Sequence, residues 1–240
     1  MPAVAVAGLI VVVIALVVVL AIQSAKWERE RIAALNAMAA KFSLTFDPSN
    51  SSHWMQHQHF GLFTRGHSKR AYNTFRGTVG EGDRQLSILA GEYEYKDETG
   101  TGKDRKTETY RNSYLIVRPL AFAYPQKLTL RRENVFDKVA GALGFEDIDF
   151  ESAEFSRRFL VKCDDKKFAY DVIDPRMMEW MMQNEPPQPI QTAMSDAIMV
   201  YGGKWKPETL EAAIAWFRDF FERWPRHVVD RLRSEGAMGR

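Results

Sequence analysis

The hydrophobic pattern of this chain changes period along its length, and each change marks a different element. Residues Ala3 to Ile22, AVAVAGLIVVVIALVVVLAI, carry no charge and are apolar on every side. About 20 helical residues span roughly 30 Å, the thickness of a bilayer's hydrocarbon core. A lone segment in that slab must satisfy its own backbone hydrogen bonds, which a helix does. Each Val, Leu or Ile near its centre favours insertion by about 0.3–0.6 kcal/mol, and no charge opposes them. The stretch predicts a transmembrane anchor over residues 1–25. A cleaved signal peptide fits less well. No Lys or Arg precedes the run, which is longer than the roughly 7–15 apolar residues of such a leader, and a cut after Ala25 sets Gln23 where a small residue is wanted. A buried core helix rarely needs so long an apolar run.

From residue 24 to 41 the period becomes three to four. Ile32, Leu35, Met38, Ala39 and Phe42 then form one apolar face. The helix is expected to continue out of the membrane, with Trp27 at the headgroups. Its face is expected to dock on the domain, with self-association as the alternative. Asp47 to Ser52 read as a loop, so residues 26–59 form a juxtamembrane helix and loop.

Beyond Phe60 the period falls to two. Ala71–Val79, Gln85–Tyr95, Thr107–Val117 and Lys127–Leu130 are rich in Tyr, Thr, Val and Ile and predict strands. The turn-rich run Asp97 to Asp104 predicts a long antiparallel hairpin, and hence a sheet with one face covered. Helix and strand alternate afterwards. Asn134–Leu143 reads as a helix stopped by Gly144, a short strand follows near Ile148, and Phe159–Cys163 reads as another. Asp165–Val172 reads as a short helix, and Asp174-Pro175 as the start of a helix over Pro175–Gln183. Strands near Ile190 and Ile198–Tyr201 lead to a helix over Pro207–Trp224, which Pro225 ends. The fold class is therefore α+β: an N-terminal transmembrane helix, then a soluble domain with an antiparallel sheet and packed helices. That domain covers 60–226, and 227–240 reads as a C-terminal tail.

Composition changes this picture little. The 240 residues are 45% hydrophobic and 27% charged, ordinary for a globular protein. A net charge of +2 is too slight for a dedicated nucleic-acid binder, so no nucleic-acid partner is expected. Charge placement says more. Lys26, Arg29 and Arg31 follow the span and no Lys or Arg precedes it, which directs the C-terminal domain to the cytoplasmic side of the inner membrane. The single Cys163 agrees, since one thiol forms no intrachain disulfide. The expected partners are the lipid bilayer and an unidentified protein; no sequence feature sets the oligomeric state.

Several motifs carry a resemblance. They are Phe60-Gly-Leu-Phe-Thr-Arg-Gly66, the Tyr-x-Tyr of Tyr93 and Tyr95, and Leu143-Gly-Phe-Glu-Asp-Ile148. To these add Glu154-Phe-Ser-Arg-Arg-Phe-Leu-Val161 and Phe168-Ala-Tyr-Asp-Val-Ile-Asp-Pro-Arg-Met178. Together, over roughly residues 35 to 220, the chain resembles uncharacterised single-pass, membrane-anchored bacterial proteins of a domain-of-unknown-function family. The resemblance implies the anchor-plus-α+β layout and brings no catalytic residues.

Candidate chemistry is sparse. His53, His57 and His59 form H-x3-H-x-H, which could bind zinc if a further ligand came from elsewhere in the chain. The Glu of a metalloprotease signature is missing, and histidines on a polar loop are the simpler account. Gly100-Thr-Gly-Lys103 lacks the first Gly and the final Ser or Thr of a phosphate loop and reads as a hairpin tip. Asp147, Asp149, Glu151 and Glu154 read as solvated acids along a strand edge. Cys163 and the methionines Met177, Met178, Met181 and Met182 read as packed. Arg65, Lys69, Arg70 and Arg76 form the most basic stretch and are candidates for contact with an anionic surface. No catalytic, cofactor-binding or metal residue is assigned and no cofactor is expected. The function this supports is a membrane-anchored cytoplasmic module, a non-enzymatic scaffold or partner- or lipid-binding domain. The alternative is a membrane-tethered metal-dependent hydrolase using His53, His57 and His59.

Overall fold

A computed structural model of the chain describes residues 2–100, 104–133 and 147–238. The predicted helix Asn134–Leu143, its stop at Gly144 and residues 101–103 of the hairpin tip lie outside them.

The first element, α1 (Pro2–Lys41), is one uninterrupted helix of 40 residues. Its described side chains divide into two sets. Those of Ile10, Val12 to Ile14, Leu16 to Leu20 and Ile22 are exposed on every side, whereas Leu35, Met38 and Ala39 are buried in the domain core. The period-three face thus docks on the domain. Among the described residues, no helix is long and apolar enough to cross a membrane. Within the expected span, Ala3–Ile22, side chains are described at Ile10 and from Val12 onward, and a window opening at Val12 soon meets Lys26, Glu28 and Arg29.

The domain is built on an eight-stranded antiparallel sheet. Its strands are β1 (Thr45–Asp47), β2 (His67–Val79), β3 (Leu86–Thr99), β4 (Lys106–Pro119), β5 (Leu128–Arg132), β6 (Phe159–Cys163), β7 (Ile190–Ala193) and β8 (Asp196–Gly202). In space they run β1-β2-β3-β4-β8-β7-β5-β6. The β3–β4 hairpin pairs without a break from Leu86↔Pro119 to Thr99↔Lys106, as its alternating pattern predicts. Short helices precede or link the strands: α2 (Gly61–Thr64), α3 (Ala153–Arg158), α4 (Lys166–Val172) and α5 (Pro175–Gln183). Asp165 caps α4 by accepting from Phe168 N–H, and Asp174 caps α5 by accepting from Met177 N–H with Pro175 in the first turn. Then come α6 (Pro207–Glu222) and α7 (Arg226–Met238).

Three expectations need correction. The sheet is covered on both faces rather than one. β1 occupies Thr45–Asp47 at the edge of the expected loop, because three residues are too few for a period to show. The segment read as a tail is helical in α7, with Val228 and Leu232 buried; Pro225 ends one helix and opens the next.

Register explains the two faces. Phe75 pairs with Ala90, Ala90 with Leu115 and Leu115 with Met199, so these share one face beneath α1 and α6. On the other face, Ala71, Tyr93, Tyr114, Ile116 and Ile198 lie under Trp54, Phe60 and Phe63, from a 3-10 turn at His53–His57 and from α2. Phe63 meets the Tyr93 and Tyr114 rings edge-on, with centroids 5.1 and 5.2 Å away. Segment 53–64 is therefore a small cap on the second face. At its junction with β2, Gly66 has φ +59, and a Cβ there would stand 2.2 Å from the Lys96 carbonyl oxygen, so only glycine makes this turn.

Candidate functional site

Two polar constellations interrupt these apolar layers, one on each face. On the capped face, β7 and β8 are joined by Met194 and Ser195, both with positive φ, a strained two-residue hairpin for non-glycine residues. The loop at Tyr124, between β4 and β5, holds it. Tyr124 N–H donates to Ser195 Oγ at 2.9 Å, and Ser195 N–H donates to the Tyr124 carbonyl at 2.8 Å. The turn starts β8 at Asp196. Ile198, two residues on, belongs to the capped face, so strand alternation aims Asp196 at the cap as well.

The Asp196 carboxylate is almost fully buried. Arg118 Nε donates to its Oδ1 at 2.7 Å, and His57 Nδ1 lies 2.8 Å from its Oδ2. His59 Nε2 is 3.2 Å from the same Oδ2, off the line a hydrogen bond requires, and this buried nitrogen has no hydrogen-bond partner among the described residues. Burial alone would raise the Asp196 carboxyl, but the hydrogen bonds from His57 and Arg118 outweigh it and hold the group below its usual range. Burial lowers the His59 imidazole, only partly offset by Asp196. The three ligating atoms, His57 Nδ1, His59 Nε2 and an Asp196 oxygen, all lie within 4.8 Å of one another.

His59 is also one wall of an open groove of about 500 Å³ between the cap and β8. Phe60, Leu62, Tyr95, Ile198 and Val200 give it apolar surface, and Arg65, Asn112 and Gln191 give it polar rim.

On the helix-covered face, Glu92 of β3 is buried and meets Arg31 of α1, with Nη1 to Oε1 at 2.5 Å. The same guanidinium donates to the Trp205 carbonyl at 3.1 Å and to Glu28 at 2.7 Å. Lys204 Nζ reaches Glu28 at 2.9 Å, and Trp205 Nε1 donates to the Gly91 carbonyl at 3.1 Å. Arg31, read as a membrane-flanking cation, is thus also the polar pin between α1 and the sheet.

The other expected residues are distributed as follows. His53 is absent from the cluster, and its ligating place is taken by Asp196, far off in sequence. The four basic residues do not form one patch. Arg70 pairs in register with Glu94 on the helix side, its guanidinium 3.2 Å from that carboxylate and over the Tyr72 ring. Lys69 Nζ donates to the Phe63 carbonyl at 3.0 Å. Arg76, opposite Leu89, is exposed on the capped side, and Arg65 is exposed at the end of α2. Asp147 and Asp149 are exposed while Ile148 and Phe150 are buried, the expected alternation, and Asp147 pairs with Lys162 at 3.0 Å. Met177, Met178 and Met181 are in the core. Cys163 is buried, and burial pushes its thiol up to about 11. The sequence reading missed Asp196, Arg118 and Glu92. Asp196 carried one faint signal, a lone acid between a turn and the apolar run Ala197–Val200.

No protein-family model and no curated protein matches the sequence. Among solved structures, the chain is similar to the mycobacterial trehalose monomycolate transport factor A, TtfA, with a TM-score of 0.51 and 10% identity. The match covers 82% of this chain and 97% of TtfA. The likeness is one of fold. It supports the α+β architecture and assigns no residue a role.

Proposed function

We propose that the chain is a single-pass protein of the bacterial inner membrane whose cytoplasmic α+β domain binds lipid or a protein partner and catalyses nothing. The observation that carries this is the division of α1. One continuous element has exposed apolar side chains at Ile10, Val12 to Ile14, Leu16 to Leu20 and Ile22, and a docked, buried face at Leu35, Met38 and Ala39. Such a surface in water is costly at roughly 25 cal/mol per Å², whereas hydrocarbon covers it at no such cost. The exposed Trp27 falls at the level expected of headgroups. TtfA is named as a trehalose monomycolate transport factor, and the shared fold is consistent with a lipid- or partner-binding role here.

The docking of α1 also orients the domain. Arg31 meets Glu92, while Leu44, just past the helix, packs on Gly77, which pairs with Ile88. Toward its N-terminus α1 therefore runs toward higher-numbered residues of β3. The end of the sheet bearing Glu94, Arg70 and Arg65 faces the bilayer, and Arg76 lies farther away. Contact with anionic headgroups thus rests chiefly on Arg65, at about 1 kcal/mol before screening, because Arg70 is already paired with Glu94.

The alternative, a membrane-tethered hydrolase built on His53, His57 and His59, is disfavoured. His53 stands outside the cluster, and both Asp196 oxygens are already engaged, so Asp196 is not free to act as a general base. The deciding experiment is alkaline carbonate extraction of membranes from cells expressing the full chain with a reporter after Arg240. Retention in the pellet with cytoplasmic-type reporter activity supports the proposal. Release into the supernatant, or periplasmic activity, refutes it.

A further inference from the structure

The histidine cluster has an unsettled feature. Asp196 and His57 satisfy each other, and Arg118 occupies the second carboxylate oxygen. His59 Nε2 is buried 3.2 Å from the same Oδ2 and has no hydrogen-bond partner among the described residues. A buried nitrogen without a partner is costly unless something else accepts its lone pair. In a tetrahedral zinc site with metal–ligand distances of about 2.0–2.1 Å, ligand atoms stand roughly 3.4 Å apart. The distances from Asp196 Oδ2 to the two imidazole nitrogens, 2.8 Å and 3.2 Å, lie near that edge length, and the three ligand atoms all fall within 4.8 Å of one another.

We propose that His57 Nδ1, His59 Nε2 and Asp196 Oδ2 form a site for a divalent transition-metal ion of the zinc type. Imidazole and carboxylate suit that class of ion, and two histidines with one carboxylate leave one position for water. Arg118 acts on the outer oxygen. By holding Oδ1, it turns Oδ2 toward both imidazoles, the orienting task of a second layer around a metal. The ligands come from the cap and from the first residue of β8, so the ion would clamp the cap to the sheet beside the groove that His59 lines. This does not depend on the anchored-module proposal, because a metal can stabilise a binding module as readily as serve an enzyme.

The test is titration of the full chain, purified in detergent and stripped with chelator, with cobalt(II) as a spectroscopic stand-in and with zinc. The expected result is one equivalent bound, with the strong visible bands of tetrahedral cobalt, displaced by zinc. His59→Gln, which removes a nitrogen without a hydrogen-bond partner among the described residues, should weaken binding at least tenfold while the circular dichroism spectrum stays unchanged. Asp196→Asn should do the same. Zinc should also slow proteolysis within residues 53–64 of the parent chain and not of His59→Gln. Absence of visible bands and of bound zinc in the parent chain would overturn the proposal. So would binding that His59→Gln leaves intact.

Discussion

The two halves of α1 differ in pattern and have opposite surroundings. Between Ile10 and Ile22 the described side chains are apolar and exposed in every direction. Between Arg31 and Lys41 the apolar residues keep to one side, where Leu35, Met38 and Ala39 are buried against the sheet and α6. The second half also carries polar pins, Arg31 to Glu92 and Lys41 to Glu211, whereas the first has none among the described residues. A helix amphipathic at period 3.6 selects a protein face, and a helix apolar all round selects a solvent. No break separates the two halves, so under the proposed anchoring the one helix would link the membrane to the domain.

The largest effect should come from the pin. Arg31→Ala leaves the buried Glu92 carboxylate without its partner and should destabilise the domain by about 3–5 kcal/mol. Adding Glu92→Leu should recover much of that loss. Urea denaturation of residues 26–240, expected to be soluble and cooperative, checks both. Leu35→Ala, at a site with no exposure, should cost about 2–5 kcal/mol in the same assay. Val17→Ala in the full chain should leave domain unfolding unchanged, which is the sharpest contrast within one helix.

The first half should respond instead to charge. Val17→Lys adds a membrane-insertion penalty of about 2.5–3.5 kcal/mol, and a second lysine at Val13 doubles it. The double variant should leave the carbonate-resistant pellet while keeping a folded domain. The smallest effect belongs to Glu28. The hydrogen bond from Arg31, helped by Lys204 and opposed by partial burial, lowers its carboxyl from its ordinary 4.5 to about 2. A depressed folded value means its contribution is complete above pH 4.5 and fades as pH falls toward 2. The group is largely solvated, so the contribution is about 1 kcal/mol or less. Glu28→Gln should flatten that part of the stability–pH curve by this amount.

Elements with a sustained period were legible in the sequence, and contacts between distant residues were not. The β3–β4 hairpin, the caps at Asp165 and Asp174 and the apolar face of α6 all follow from local pattern. β1 was too short to show one, and α7 was hidden because a proline that stops a helix also starts one. The candidate site was half visible. His57 and His59 stand out by spacing, but Asp196 joins them only because a two-residue turn fixes its position in β8, 139 residues away from His57. Glu92 looked like any alternating strand residue; its burial depends on where α1 docks. The four cations looked like one patch because β2 reads as regular, whereas its register shifts between Tyr72 and Phe75 and sends Arg70 and Arg76 to opposite faces.

The account turns on one helix serving two environments, and site-directed spin labelling along α1 tests that most directly. Single labels at positions 10–40, in a Cys163→Ala chain reconstituted in lipid vesicles, would be read for accessibility to oxygen and to a water-soluble nickel complex. Labels over 10–22 should favour oxygen uniformly around the helix. From 31 to 41 accessibility should oscillate every 3.6 residues, with minima at Leu35, Met38 and Ala39. Nickel access throughout 10–22, or an unbroken lipid signature running past Arg31, would contradict it.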